Sequence, residues 1–447
     1  MERVLGVETE YGLSARSARG RLSAPEAAEL LFRPLVAEHR AANAFLVNGG
    51  RLYLDVGAHP EYATPECRTV RQLLVAERAG DELVAQLAAD ASARAAAASQ
   101  EVRFRLFKNN VDSFGNSYGC HENYLVEREQ DLSVLVDLLT PFLVTRQVLC
   151  GSGRYRRGEF TISQRADHLY DQLSAQTTRA RPLVNTRDEP LADPARFRRL
   201  HVLAGDSNLC EPSAWLKVGT TVALLDALSG GSGVDRLGRL RLADPAAALR
   251  QVARDPSAVL ELADGRRRSA LEVQREYLDV AGERAEPELA GLWTAVLDAL
   301  TAGAPERVAD VVEWVAKRRL LQEFQDRHRL ASDDPKLAQL DLAFHELGGA
   351  FGALEGEGLV RRLTTSAEVR RAMTEPPADT RAAARAGFLA AVQRGRHRYS
   401  VDWQTCTIHD LTGADGPADR TIALPDPLAA RVPELDELLE LLCANAG

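Results

Sequence analysis

The sequence predicts an α+β protein, with strands in its first half, helices in its middle and a small mixed unit after a proline pair. Period-two alternation marks the strands. Leu5, Val7 and Thr9 oppose Glu8 and Glu10, and Leu52, Leu54 and Val56 oppose Arg51, Tyr53 and Asp55. The helical pattern spans Ser213 to Phe351, and Pro376-Pro377 breaks the chain before residues 378–447.

Val4–Tyr11 is a strand whose two carboxylates leave one face roughly 7 Å apart, at ~3.4 Å per residue. On a surface strand they are simply solvated. On a central strand they need a cation, and hard oxygen ligands select Mg²⁺ or Mn²⁺. Ala24–Val36 is a helix opened by Ser23, with Pro25 in its first turn and Ala28, Leu31, Phe32 and Leu35 facing inward. Gly49-Gly50 turns the chain from Asn43–Gly50 into the strand Arg51–Val56. That strand carries a cation, a phenol and a carboxylate on one face, then turns at Gly57 and Pro60, with Glu61 and Thr64 just beyond. A solvated edge strand and a chemical site both fit this segment taken alone. Val70–Ala98 is a long alanine-rich helix with leucines at 73, 74, 83 and 87.

Arg105–Leu125 has strand-like ends around a loop of Asn, Gly and Ser, followed by His121, Glu122 and Asn123. A hydrogen-bonded structural loop and a donor-rich site are equally compatible with it. There is no HExxH, which excludes a zincin, and no GxxxxGK[ST], so a bound nucleotide has to be held by arginines and metal. Leu132–Cys150 reads as a helix kinked or started near Pro141, and Gly151–Gly158 as a plain basic loop. Arg179, Arg181, Arg187, Arg198 and Arg199 concentrate guanidinium forks suited to carboxylate and phosphate oxygens. His201 heads an apolar strand, where a satisfied core histidine is commoner than a metal ligand. Helices follow at Ala214–Ser229, Pro245–Arg254, Ser269–Ala281, Ala285–Ala302 and Arg307–Arg327. The last unit has a helix over Arg381–Gln393, a strand pair around Tyr399–Ile408 that contains Trp403, and a leucine-rich closing helix.

With 447 residues, 45% hydrophobic and 27% charged, the chain has the composition of a globular enzyme rather than a disordered or fibrous protein. A net charge of −9 argues against nucleic acid as partner, and no stretch approaches the ~20 apolar residues of a membrane span. The six cysteines are scattered without a CxxC pair, and the acidic N-terminus is no signal peptide, so a cytoplasmic protein is expected. Lysine occurs only at 108, 217, 317 and 336, as codon bias toward arginine produces; a lysine-modifying enzyme also benefits from such scarcity.

Taken in order, Gly6–Gly12, Asn48–Cys67, Lys108–Asn123, Asn185–Pro190, Arg198–His201 and Val401–Trp403 resemble the Pup ligase and deamidase family across nearly the whole chain. The resemblance implies a glutamine-synthetase-like fold: a curved, mostly antiparallel sheet packed with helices in a catalytic domain, residues 1–377, plus a small C-terminal domain, 378–447. It implies ATP and Mg²⁺ as cofactors, and Pup, lysine-bearing proteins and, indirectly, the bacterial proteasome as partners. Glu8 and Glu61 match metal-ligand positions, with Tyr53 a weak or water-mediated third. Arg51 and Thr64 match nucleotide contacts, Trp403 would stack on adenine, and Asp55 matches the catalytic base. Only Ala37–Gly50 separates the first helix from the key strand, whereas the deamidase branch carries a long insertion there, so the ligase branch is expected. The alternatives are a Pup deamidase or depupylase, a small-molecule glutamate-amine ligase of the same fold, and a catalytically silent Pup-binding protein.

Overall fold

In the computed structural model, which describes residues 3–55, 57–174, 181–413 and 416–444, the alternating stretches become neighbours in one eight-stranded sheet. Its strands are β1 (Leu5–Glu10), β2 (Asn43–Phe45), β3 (Arg51–Asp55), β4 (His59–Ala63), β5 (Cys120–Glu127), β6 (Asp171–Ser174), β7 (Pro182–Asn185) and β8 (Phe197–Val202). They lie in the order β6-β7-β8-β5-β1-β4-β3-β2, so β1 is central and β3 is covered by β2 at the edge. Every pair is antiparallel except β6 with β7, giving the expected α+β, mostly antiparallel architecture. Val56 and Arg179 lie outside the described residues.

Residues opposed in an antiparallel pair share a face, so the register sorts the side chains. Leu5 and Val7 of β1, Leu52 of β3, Tyr62 of β4 and Leu200 of β8 turn to the apolar core, each 2% exposed or less. The helix Val70–Ala97 lies across this back face, presenting Leu73, Leu74, Val84 and Leu87. Its start is fixed by a reciprocal cap, Thr69 Oγ1 accepting from the Gln72 N–H while Gln72 Oε1 accepts from the Thr69 N–H. The helix Glu211–Ser229 is buried along nearly its whole length, its polar residues included. Charged groups that enter the core are paired. Glu77 and Asp81 of the long helix flank Lys108, each at 3.1 Å, and Glu122 holds Arg146.

Several boundaries differ from expectation for local reasons. The helix over Leu132–Thr145 runs through Pro141 and breaks at Arg146, whose guanidinium is turned inward to Glu122. The basic loop is a hairpin, Arg154–Arg156 pairing with Glu159–Thr161. The helix expected over Arg307–Arg327 begins only at Glu313, after a separate 3₁₀ turn at Pro305–Val308. In the last unit a third strand, Gly416–Ala423, joins Arg398–Val401 and Thr405–Gly413. Trp403 stands in the turn between the first two strands, not within one. This unit has its own small core of Phe388, Ile408, Leu435 and Leu438.

Candidate active site

The polar face of the sheet gathers the candidate residues through its register. Glu8 lies opposite Ala63 on one side and His121 on the other, Glu10 opposite Glu61, Tyr53 opposite Glu61, and Asp55 opposite His59. The result is two groups of metal-competent side chains. In one, atoms of Glu8, His121 and His201 all lie within 4.8 Å of one another; in the other, atoms of Glu10, Asp55 and Glu61 do. Glu8 and Glu61 are thus on adjacent strands and one face, and each anchors a different group. The sequence marks Glu10 only as the second carboxylate of its strand and His201 as a core histidine sooner than a ligand, and gives His121 no role. Their neighbours come from other strands, and only pairing brings them together.

Electrostatics separates the two groups. Burial works to raise the pKa of Glu8, but the hydrogen bond with His121 at 3.4 Å and the nearby His201 and Arg199 outweigh it and hold the carboxyl at about 2. Glu61 goes the other way. Burial and then the Glu8 and Glu10 carboxylates push its pKa well up, with only the contact to the Tyr53 hydroxyl opposing. Burial and the Glu8 and Glu61 carboxylates also raise Tyr53, so its phenol is neutral. A buried carboxyl whose charged neighbours are carboxylates fits a divalent cation. His201 adds a second indication: it is 8% exposed, neither ring nitrogen makes a hydrogen bond although Nε2 lies 3.8 Å from Glu8, and burial lowers its pKa to about 3, leaving a neutral imidazole able to ligate.

Backbone shape sets the approach to these groups. The Gly119 N–H donates to Glu10 Oε1 at 2.7 Å. A Cβ at Gly119 would stand 2.3 Å from His121 Nε2 and 2.7 Å from Glu10 Oε1, so any larger residue here displaces these two side chains.

At the opposite end of β1 a cleft of about 580 Å³ is lined by Gly6, Glu8, Thr64, Arg199, Arg381 and Trp403, among others. Thr64 is buried, its hydroxyl accepting from the Val7 N–H at 3.1 Å. Trp403 is half-buried, meeting Phe45 edge-on at 4.9 Å. Arg51 lies over the Tyr53 ring at 4.6 Å and donates from Nε to Asn43 Oδ1 at 2.7 Å. A second pocket, which shares Arg199 with the cleft, is lined also by Arg187 and Arg198, so three of the five arginines singled out lie near one another, although Arg198 and Arg199 leave β8 on opposite faces. Arg181 belongs to a different neighbourhood, beside Arg165 and His168.

Comparison with known proteins agrees along the whole chain. A family model described as Pup-ligase protein matches residues 3–407. A Pup–protein ligase of Xylanimonas cellulosilytica is 43% identical, over 98% of this chain and 99% of its own. Among solved structures, the ligase PafA in complex with the prokaryotic ubiquitin-like protein Pup matches with a TM-score of 0.91 at 38% identity, covering 100% of this chain and 93% of the other. PafA in complex with ADP matches with a TM-score of 0.84 at 38% identity, covering 95% of each chain.

Proposed function

The chain belongs to the Pup-ligase family, and we propose that it uses ATP to join the C-terminal glutamate of Pup to lysine side chains of other proteins. A carboxylate does not acylate an amine at neutral pH. The γ-phosphoryl group of ATP therefore passes to an oxygen of the glutamate γ-carboxylate, releasing ADP, and the lysine amine then attacks the carbonyl carbon as inorganic phosphate departs. Relatives described as Pup–protein ligases, and PafA structures with Pup and with ADP, support this reading.

The single observation that carries it here is the continuity of the cleft with the acidic row. The cleft lined by Trp403 and Thr64 opens onto Glu8, the first carboxylate of a face that continues to Glu10, Glu61 and Asp55. The four steps along β1 from Gly6 to Glu10 span about 14 Å at ~3.4 Å each, which suits a nucleotide laid along the strand. In this reading Trp403 stacks on adenine, and Thr64 and Arg51 contact the nucleotide. Arg199, on the polar face of β8, faces phosphate oxygens. Glu8 and Glu61 hold Mg²⁺, with Tyr53 acting weakly or through water and Glu10, His121 and His201 as further donors. The metal, when bound, neutralises phosphate charge and aligns donor with acceptor.

Asp55 acts as the base. A lysine ammonium has a reference pKa of ~10.4, so its amine becomes nucleophilic only when a group beside the acyl phosphate takes a proton. Asp55 is partly open to solvent at the far end of the row, where an incoming lysine can reach it. Residues 1–377 then form the catalytic domain, and 378–447 a small domain that supplies Trp403. The buried, free cysteines at 67, 120, 150, 210 and 406 suit a reducing cytoplasm, where modified proteins pass to the bacterial proteasome. Among the described residues no helix is long and apolar enough to cross a membrane.

The test is direct. The protein is mixed with ATP, Mg²⁺, Pup ending in Glu and a lysine-bearing protein, and a Pup-sized mass increase on that protein is expected. Rapid release of ammonia from Pup ending in Gln, with no ligation of the Glu form, would instead place the chain with the deamidases.

A further inference from the structure

Arg165 is a buried guanidinium that the fold leaves without an anion. Its side chain is 2% exposed, its Nε has no hydrogen-bond partner, and among the described residues the guanidinium reaches only the Cys120 carbonyl, 3.5 Å from Nη1. The carboxylates nearest to it are engaged elsewhere. Asp206 accepts from the backbone N–H groups of Ser152, Gln164 and Arg165 itself, Glu10 accepts from the Gly119 N–H, and Asp167 holds Arg254 at 3.0 Å. Burial, and Arg181 after it, lower the pKa of Arg165, with Glu10 opposing. An unpaired buried charge is costly, so a fold that keeps one is suited to a ligand that completes it.

The surroundings are cationic as well. After burial, Arg154, Arg181 and Arg165 all act to lower the pKa of His168, whose Nε2 is likewise buried without a partner. Neither Arg154 nor Arg181 forms an ion pair among the described residues, so no protein anion offsets the group. Such a cluster takes a small anion, and guanidinium forks match carboxylate oxygens.

Topology sets this cluster across the acidic row from the cleft. β1 ends at Glu10 where β5 begins at Cys120, β8 ends at Val202, and β7 begins at Pro182, directly after Arg181. The cleft lined by Gly6, Thr64 and Trp403 is at the other end of β1. A nucleotide in the cleft and an anion at Arg165 therefore approach the carboxylates from opposite sides. The donor in the ligation reaction carries a suitable anion. Only the γ-carboxylate of its terminal glutamate is activated, and the α-carboxylate stays charged from binding to product release.

We propose, on the basis of the ligase reading above, that Arg165, with Arg181 beside it, binds the free α-carboxylate of the C-terminal glutamate of Pup. The site thereby accepts a glutamate at a chain end and rejects one within a chain, whose α-carboxylate is consumed in a peptide bond.

The full-length protein and its Arg165→Gln variant are each given two donors: Pup ending in Glu, and Pup whose terminal α-carboxylate is a primary amide with the γ-carboxylate left free. Ligation to a lysine-bearing protein is followed with ATP and Mg²⁺ present. In the wild type, the KM for the amide is expected to exceed that for Pup ending in Glu at least about tenfold, because the amide leaves the buried guanidinium unpaired. Arg165→Gln is expected to raise the KM for Pup ending in Glu by a similar factor, to treat the two donors nearly alike, to keep the KM for ATP, and to melt no lower than the wild type. Equal KM values for the two donors in the wild type overturn the proposal whether or not the variant folds. A variant that melts lower yet still discriminates marks a structural guanidinium and overturns it too. No isopeptide product from the wild type with Pup ending in Glu overturns the ligase reading itself.

Discussion

Arg385 donates from Nη2 to Glu66 Oε2 at 2.5 Å, with both side chains buried. The same guanidinium reaches the Gly49 carbonyl at 2.9 Å and stands 4.9 Å from the Trp403 ring, so one ion pair joins the turn before β3, the segment after β4 and the C-terminal unit. Arg385→Met keeps most of the apolar contact and leaves Glu66 with Arg381 alone. Breaking a buried pair costs about 3–5 kcal/mol, the lower end applying where a second partner remains. The expected outcome is a lower thermal midpoint and a KM for ATP raised more than kcat is reduced, measured by calorimetry and ATP titration.

Glu66 also fixes an acid response. Burial acts to raise its pKa, but Arg385 and Arg381 outweigh that and hold it at about 2, against 4.5 ordinarily. A depressed folded-state value means the stabilisation is complete above about 4.5 and is lost as pH falls toward about 2. The difference is on the order of 3 kcal/mol. Urea midpoints measured at pH 5 and pH 3 are expected to fall with acid in the wild type, and to fall distinctly less in Glu66→Gln.

Asp55→Asn keeps the shape of the strand and removes the base. Isopeptide formation is expected to fall 10²–10⁴-fold, the usual worth of general-base catalysis, while ADP affinity changes little. Single-turnover ligation and nucleotide titration check both halves, and ligation near the wild-type rate would remove Asp55 from the role.

Glu8→Gln and Glu61→Gln each take one charged oxygen from a hard-metal site. Each is expected to raise the Mg²⁺ concentration for half-maximal ATP turnover several-fold or more. An unchanged requirement in both variants would contradict the metal assignment.

Gly119→Ala places a methyl group against both His121 and Glu10. Activity is expected to drop at least tenfold with a much smaller change in thermal midpoint, because the methyl is accommodated by displacing the ends of the two site side chains. Paired activity and calorimetry measurements distinguish this from general destabilisation.

Alternation made β1 and β3 legible, since a strand with one buried face must write its period into the sequence. The pairing that sets Glu10 beside Glu61, and His121 beside His201, is a property of strands distant in the chain, and no local pattern encodes it. His201 looked like a core residue because apolar neighbours surround it in sequence, whereas its face of β8 is the polar one. The buried cations followed the same logic. Lys108 and Arg146 are buried against Glu77, Asp81 and Glu122, partners that lie far from them in the chain. Trp403 was placed in a strand because its flanks are strand-like, and the Asp402 carboxylate accepting from the Gln404 and Thr405 N–H groups makes it a turn.

The alternating register of β1 also bears on how this gene can change length. Inserting or deleting one residue within Val4–Tyr11 would invert every side chain beyond it, sending Glu8 or Glu10 into the core and Leu5 or Val7 to the nucleotide face. Inserting two keeps the faces but slides the carboxylates by about 7 Å relative to β4 and β5. Substitutions there are therefore graded, while frame-preserving indels are all-or-none. The short connection at residues 40–42, between the end of the first helix at His39 and β2, has no such phase to keep, so evolutionary variation in length belongs there rather than in the strands.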